Sequence, residues 1–271
     1  MNGRRPPERE KKIRRALPPW VGRKLAVALI SLLAGFLAWQ VLATQFHRTV
    51  FPSPLDVVRV GEQMIGDGSL FGHIGISLYR MALGFLIGCL IAIPTGVLMG
   101  VNDFFRRTLE PFINLFRFIP AISFVVFSIV WFGIGESSKI FLILYNAFFT
   151  VTVNTEAGVR GIPLNRIRAA QSLGGRGYQI FFQVLLPSTV PYVFAGMRIA
   201  MGRSFSTIVA AEMLAASAGV GYLIFSSREF MRTDIIFLAL FILGLMGFLA
   251  DRAMRLLMRR FGREYVPAEG E

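Results

Sequence analysis

Residues Gly84-Phe-Leu-Ile-Gly-Cys-Leu-Ile-Ala-Ile-Pro-Thr-Gly-Val-Leu-Met-Gly100 form an apolar run without a charged side chain. A small residue recurs at every fourth position, and residues four apart share one face of a helix. Helices in a bilayer associate by close backbone approach along such faces. The run therefore predicts a membrane helix that packs tightly through one stripe of small residues. These residues are Gly84, Gly88, Ala92, Gly96 and Gly100. The pattern leaves open whether the stripe contacts the same chain or a second copy.

The composition of the whole chain also indicates a membrane protein. Hydrophobic residues make up 54% of the 271 residues, charged residues 17%, and the mean hydropathy is +0.59. A soluble domain carries about 25% charged residues. Because about 20 helical residues cross the hydrocarbon core, the apolar stretches predict an all-α, polytopic membrane protein with about six spans. The predicted spans are 25–46, 77–101, 111–132, 140–153, 191–214 and 235–258, of which the fourth is short.

The distribution of lysine and arginine predicts the orientation of these spans. If both termini are cytoplasmic, the stretches on the inner side hold 20 of these residues and the outer stretches hold 4. Such a bias is typical of cytoplasmic loops. We therefore expect a basic cytoplasmic tail at 1–24, a transmembrane domain at 25–258 with a cytoplasmic loop at 156–187, and a cytoplasmic tail at 259–271. The net charge of +13 then reflects topology and contact with lipid headgroups rather than nucleic-acid binding.

The loop at 156–187 has the sequence of an ordered helical hairpin. Pro163 can open a helix over 164–173, and the following Gly174 and Gly175 let the chain reverse, because glycine tolerates positive φ. A second helix over 178–186 is expected to end at Pro187.

The two parts of this hairpin are expected to have different roles. Apolar residues at helical spacing in the second helix should anchor it to the bundle; they are Ile180, Phe181, Val184 and Leu185. The turn at 172–176 would then be free to dock into a partner.

The spacing within this loop resembles the EAA loop of ABC-importer permeases. That pattern is Glu-Ala-Ala, three residues, Gly, nine residues and Ile-x-Leu-Pro. Here Ala169-Ala170, Gly174 and Val184-x-Leu186-Pro187 keep the same gaps. The first position, usually Glu, is Arg168. Two interpretations stay open: a co-adapted ATPase subunit with an acidic residue opposite Arg168, or a solvated position without a partner.

The resemblance extends over nearly the whole chain, to the nitrate/sulfonate/taurine-type permeases. It includes Phe51-Pro-Ser-Pro54, the stretch 131–139 (WFGIGESSK) and the stretch 154–161 (NTEAGVRG). It implies a MetI-like permease bundle that works as a homodimer in the bacterial plasma (inner) membrane. Two ATPase subunits, which bind ATP and Mg²⁺, would grip the loops, and an extracytoplasmic solute-binding protein would deliver the substrate.

The resemblance also implies a substrate class and a set of contact residues. The substrate would be a small anion such as a sulfonate, taurine or nitrate, or alternatively a thiamine-precursor pyrimidine or another small organic solute. The residues expected in the ATPase-coupling loop are Arg168, Ala169, Ala170, Ser172, Leu173, Gly174, Gly175, Arg176, Leu186 and Pro187.

The chain itself has no sequence feature for ATP hydrolysis. None of its four lysines follows a G-x-x-x-x-G stretch, so we expect no P-loop, no cofactor and no enzymatic activity in this chain. The two histidines, His47 and His73, lack neighbours at metal-ligand spacing, so no metal site is expected.

Two other classes of protein stay open at this point. A secondary transporter would require acidic residues within the spans and an inverted repeat, and a membrane scaffold without transport activity would leave little trace in sequence. Polar residues inside spans are candidates for the transport pathway, with polar packing between helices as the alternative. The candidates are Ser123, Asn146, Arg198 and Glu212.

Overall fold

The computed structural model describes residues 19–261, and every regular element in that range is helical. Residues 1–18 and 262–271, the outer parts of the two predicted tails, lie outside the described residues. The prediction of an all-α protein is confirmed. The helices are α1 (Pro19–Gln45), α2 (Pro54–Gly66), α3 (Ser69–Val101), α4 (Asp103–Phe116), α5 (Val125–Phe132), α6 (Glu136–Arg160), α7 (Leu164–Ser172), α8 (Gly177–Ile180), α9 (Leu186–Ala215), α10 (Val220–Glu229) and α11 (Thr233–Phe261).

The described residues up to Pro54 form a unit of their own that contains α1. The predicted first span at 25–46 lies on this helix. After α1 the chain turns, and the carbonyl of His47 accepts the backbone N–H of Val50 at 2.9 Å. The indole Nε1 of Trp39 donates to the carbonyl of Pro52 at 3.1 Å, which fixes the end of the turn against the helix.

The second unit, Leu55–Glu271, holds the remaining helices. Among the described residues, four helices are long and apolar enough to cross a membrane: Ser69–Val101, Glu136–Arg160, Gly177–Ala215 and Thr233–Arg260. A fifth span results if α4 and the helical pair Ala121–Phe132 are counted as one, although they meet at 87°. The chain is therefore a multi-pass helical membrane protein, and the predicted short fourth span is a full helix of 25 residues.

The third predicted span, 111–132, is not continuous. It breaks between α4 and the single 3₁₀ turn Ala121–Phe124 that leads into α5. Pro120 lies at the break, and a proline both lacks an N–H and disfavours helical geometry at the preceding residue. The carbonyl of Phe116, at the end of α4, accepts the N–H of Ile119 at 3.0 Å and the Tyr145 hydroxyl at 2.6 Å, so α6 holds the break in place.

The helix that was expected to end at Pro187 instead continues into α9. Between α8 and α9 the chain forms a π-helical segment, Phe181–Leu185, and the N–H of Leu186 donates to the carbonyl of Phe181. A proline ring collides with the carbonyl four residues earlier in a regular α-helix. The wider π-helical turn immediately before Pro187 relieves that collision. The prediction of a helix end here was wrong, and residues 177–215 form one long helical span.

The small-residue stripe of α3 faces α6 of the same chain. A Cβ atom built on Gly84 would lie 2.7 Å from the carbonyl oxygen of Ile140, and one on Gly96 would lie 2.7 Å from that of Thr152. Ala92, between them, is fully buried. The backbones of α3 and α6 therefore approach so closely that no larger side chain fits along the stripe.

The main core lies where α3, α6 and α9 meet. Cys89 belongs to it and is buried. The other buried members are Met81, Phe85, Ala92, Ile143, Ala147, Val151, Ala200 and Ile208. A second apolar cluster joins α2, α3, α10 and α11.

Gly96→Leu tests this close packing, with Gly75→Leu as the matched control on the same helix. A Cβ on Gly75 meets no atom within 4 Å. Overpacking costs about 1–3 kcal/mol, and 1 kcal/mol shifts the unfolding midpoint by roughly 2–4 °C in a chain of this size. Thermal unfolding in detergent, followed by size-exclusion chromatography, should show a midpoint lower by several degrees for Gly96→Leu alone. Equal midpoints for the two variants would contradict the tight α3–α6 contact.

Candidate functional site

The turn that follows α7 has a defined hydrogen-bonded geometry. The N–H of Gly175 donates to the carbonyl of Ala170 at 3.0 Å, and the N–H of Gly174 donates to that of Gln171 at 2.9 Å. This pair of bonds is the Schellman motif, which requires a left-handed residue after the helix. Gly174 has φ +80°, and a Cβ on Gly175 would lie 2.7 Å from the Ala170 oxygen. The two glycines are therefore needed for different reasons, one for conformation and one for space.

The second arm of the hairpin, α8 and the π-helical segment, begins at once after this turn. The side-chain oxygen Oε1 of Gln179 accepts the N–H of Arg176 at 2.8 Å, which pairs a backbone donor at the start of α8. The four predicted anchor residues at 180, 181, 184 and 185 are half-buried. Tyr178 and Phe182, on the other face, are 63% exposed. The helix therefore presents one face to the protein, and the turn is held in place from both sides.

The tip of the turn is an exposed surface on a hydrogen-bonded backbone. Leu173 is 90% exposed, and Ser172, Gly174 and Arg176 are also exposed. Burying a leucine side chain in a partner would gain about 1.5–3 kcal/mol. The rest of the predicted coupling residues lie beside this tip or beyond it: Arg168 and Ala169 are exposed on α7, Ala170 and Gly175 are half-buried, and Leu186 and Pro187 are half-buried at the start of α9.

A buried ion network, made by Ser77, Arg80, Glu136 and Glu212, joins three of the membrane helices. The Arg80 side chain on α3 is only 2% exposed, and its Nη1 donates to Glu212 of α9 at 2.8 Å. Its Nη2 donates to Glu136, at the start of α6, at 2.7 Å. Arg80 thus bonds two carboxylates from two different helices.

Glu212 is almost completely enclosed within the ion network. Its side chain is 1% exposed, and the Ser77 hydroxyl shares its one proton between the two carboxylate oxygens, at 2.7 and 2.9 Å. The N–H of Gly221, at the start of α10, donates to the same carboxylate at 2.9 Å. A side chain on Gly219, which has φ +123°, would overlap this carboxylate. The segment between α9 and α10 therefore packs directly against the Glu212 carboxylate.

The network explains how charges remain inside a membrane domain. A buried charge is tolerated only when it is paired and its remaining donors and acceptors are bonded. Arg80 also donates to the carbonyl of Ala218 at 2.7 Å, and Lys139, 3% exposed, donates to that of Gly135 at 3.0 Å. Sequence reasoning selected only Glu212 from this group. An arginine inside the predicted second span was the signal that could have pointed to the rest.

A separate cavity of about 730 Å³ opens beside α6 and α9 and the break between α4 and α5. Two arginines, Arg117 and Arg203, line it, and among the described lining residues none is acidic. The other polar side chains that line it are Tyr145, Asn146, Thr150, Asn154, Ser206 and Thr207.

The four predicted pathway residues lie in different places. Asn146 lines the cavity, and its Nδ2 donates to the carbonyl of Ala200 and the hydroxyl of Ser204, both at 3.2 Å. Ser123 is exposed in the 3₁₀ turn next to the cavity lining. Arg198 lies elsewhere, because its Nε donates to Asp251 of α11 at 2.6 Å, beside a second cavity of about 280 Å³. Glu212 belongs to the ion network.

The multi-pass bundle carries an exposed helical hairpin between two of its spans, and the family match assigns this architecture to the membrane permeases of ABC importers. The chain belongs to the family of binding-protein-dependent transport system inner membrane components, whose sequence profile matches residues 84–263. It is therefore a transport protein rather than an enzyme.

Comparisons with individual proteins agree with this assignment. The chain is 36% identical to the taurine transport system permease protein TauC of Escherichia coli (strain K12), with 86% of each chain covered. It is 34% identical to the nitrate import permease protein NrtB of Synechococcus elongatus, over 80% of this chain and 83% of that protein. An inward-facing structure of the MetNI methionine ABC transporter shares the fold, with a TM-score of 0.62, 22% identity, and coverage of 71% of this chain and 95% of that one.

Removing one partner of the ion network should destabilise the fold strongly. Arg80→Leu leaves the buried Glu212 carboxylate without its cation, whereas Glu136 keeps its contact with Lys139 at 3.8 Å. Breaking a buried pair costs about 3–5 kcal/mol. Arg198→Gln is the matched control, since the Arg198 side chain is 48% exposed and an exposed pair contributes about 0–1 kcal/mol. Thermal unfolding midpoints are measured in detergent for both variants. The double variant Arg80→Leu/Glu212→Gln should recover part of the midpoint lost in Arg80→Leu, because it also removes the unpaired buried charge. A midpoint for Arg80→Leu as high as that of Arg198→Gln would show that the network is not structural.

Proposed function

We propose that two copies of this chain form the translocation pathway of an ABC importer, and that the hairpin of α7 and α8 couples each copy to an ATPase subunit. The observation that carries this proposal is the turn at 172–176. Its backbone is fixed by the Schellman bonds, and it exposes Leu173 at 90%. A rigid turn transmits displacement to the helix behind it, and an exposed leucine supplies apolar area for docking.

The energy source in this proposal is a separate subunit. ATP and Mg²⁺ bind to the ATPase, because this chain has no phosphate-binding loop of the G-x-x-x-x-G-K type. The ratio of 20 to 4 basic residues supports cytoplasmic termini, which would place the hairpin on the side where ATP is available. In this orientation the ion network lies toward the outer face of the membrane.

The substrate in this proposal is a small anion of the sulfonate, taurine or nitrate class. The support comes from the printed functions of TauC and NrtB, together with identities of 36% and 34% over most of the chain. The ion network weighs against the alternative of a secondary transporter. Glu136 and Glu212 are both engaged by Arg80, so neither is left as an unpaired proton or cation site in the described bundle.

The proposed coupling route is short. ATP-driven closure of the ATPase subunits would move the turn, and residues 177–215 run as one helical span from the turn to Glu212. A conformational change requires contacts that differ between the two states. We place those differences at the docked turn on one side and between the two copies along the pathway.

Leu173→Asp tests the coupling role of the turn. A carboxylate at the docking tip should reduce co-purification of the ATPase by roughly 10-fold or more, because burying an unpaired charge costs more than the 1.4 kcal/mol that a tenfold change represents. ATP-driven uptake of taurine into proteoliposomes, with the cognate binding protein present, should fall in parallel. Ile134→Asp is the matched control for co-purification, since Ile134 is an equally apolar residue, 84% exposed, in the α5–α6 connection.

A second variant tests the backbone conformation of the turn rather than its exposed side chain. Gly174→Trp places a bulky side chain at φ +80° and should also uncouple ATP hydrolysis from uptake, while membrane insertion stays intact. Unchanged assembly and uptake in both Leu173→Asp and Gly174→Trp would refute the coupling role of the turn.

A further inference from the structure

We propose that the cavity beside α6 and α9 is an oxyanion-binding station of the translocation pathway, and that Arg203, together with Arg117, selects anions there. This inference rests on the proposed function for the statement that the cavity belongs to a pathway. The electrostatic character of the cavity, by contrast, can be measured without any transport.

The cavity wall is formed by two helical faces and one loop. On α9, its lining residues recur at intervals of three and four and so share one face of the helix; they are Ile199, Arg203, Ser206, Thr207 and Ala210. On α6 the lining residues follow the same spacing: Tyr145, Asn146, Phe149, Thr150, Val153 and Asn154. Residues 117–122, at the break between α4 and α5, close the third side. The break in the third span thus supplies Arg117 and a loop backbone to the cavity wall.

The charge of Arg203 is not compensated within the described chain. Arg203 lies near the middle of α9, where a charged side chain in a bilayer is costly unless it faces a polar cavity or a partner. The buried Arg80 and the half-exposed Arg198 each contact a carboxylate. No carboxylate among the described residues lies within ion-pair distance of Arg203 or Arg117, and both side chains are exposed to the cavity.

Two guanidinium groups without acidic neighbours make a site for an anion. A cleft lined by charges of one sign and bounded by apolar walls concentrates counter-ions. Arginine presents a planar set of donors that matches two oxygens of a carboxylate- or phosphate-like group, and sulfonate and nitrate oxygens offer the same arrangement. Phe149, Val153 and Ile199 supply apolar wall on the two helices, which suits a short alkyl group carried by the anion.

A lipid headgroup has a phosphate of similar chemistry, so the occupant must be distinguished. The cavity has about 730 Å³ of space and lines α9 over three turns, from Ile199 to Ala210. A headgroup would bind only near the membrane surface, whereas this cavity extends along the middle part of the helix. We therefore assign the site to a soluble oxyanion of the sulfonate or nitrate class.

The test uses a cysteine placed in the cavity and two thiol reagents of opposite charge. Ser206→Cys is nearly isosteric, and Ser206 is exposed and lies one helical turn from Arg203. The single native cysteine, Cys89, is 4% exposed, so its background is measured in the parent protein. The full chain, assembled with its ATPase in nanodiscs of zwitterionic lipid, is labelled with sulfonatoethyl methanethiosulfonate and with its trimethylammonium counterpart.

The expected result is a preference for the sulfonate reagent. Relative to a free thiol, the ratio of anionic to cationic labelling rates should be raised about 10-fold or more, as is typical of a focused positive field. Arg203→Gln should lower that ratio toward the free-thiol value, and Arg203→Lys should retain most of it. Arg252→Gln, which removes an exposed charge on α11 outside the cavity lining, should leave the ratio unchanged.

Three outcomes would overturn the proposal. The first is a ratio equal to that of a free thiol in the Ser206→Cys protein, and the second is a ratio that does not respond to Arg203→Gln. The third is labelling that added anionic lipid blocks while soluble ethanesulfonate does not compete, which would identify a headgroup site. Taurine uptake by proteoliposomes is measured in parallel. If the unmodified protein shows no taurine uptake while the Ser206→Cys protein still prefers the anionic reagent, the proposed function is refuted and the anion site is retained.

Discussion

The pairing of Arg80 with Glu136 and Glu212 is the interaction on which the rest of this bundle depends. A buried arginine without partners is incompatible with an apolar interior, so the three helices that carry these residues must meet at one place. The Gly–Ala stripe of α3 then lets α6 approach along its length. The segment from Gly219 to Gly221 caps the arrangement, because its backbone also bonds the carboxylate of Glu212.

The coupling turn and the proposed anion site are connected by one helix, α9. One end of the helical span 177–215 joins the turn that exposes Leu173, and Glu212 lies near its other end. Arg203 lies between them and lines the cavity. A displacement of the turn would therefore act on the same helix that presents the charge to the substrate. The π-helical segment before Pro187 keeps this helix continuous where a proline would otherwise interrupt it.

Sequence patterns predicted the features that depend on neighbouring residues along the chain. The apolar runs predicted the membrane helices, and the paired glycines at 174 and 175 predicted the reversal after α7. The broken third span was missed, because the bend at Pro120 is stabilised by a hydroxyl from α6, 25 positions further along the chain. The ion network and the cavity were also missed as assemblies. Their members come from helices far apart in sequence, and no local spacing brings Arg80 together with Glu212, or Arg117 together with Arg203.

The most direct test of the central claim, that α9 carries motion from the turn to the opposite end of the bundle, is a distance measurement between the two copies of the proposed homodimer. A spin label at Leu214, which is 63% exposed at the end of α9, would report this in the complex with its ATPase. We predict that the distribution of label-to-label distances shifts when ATP is trapped in the ATPase subunits. An identical distribution in the nucleotide-free and ATP-trapped states would contradict it.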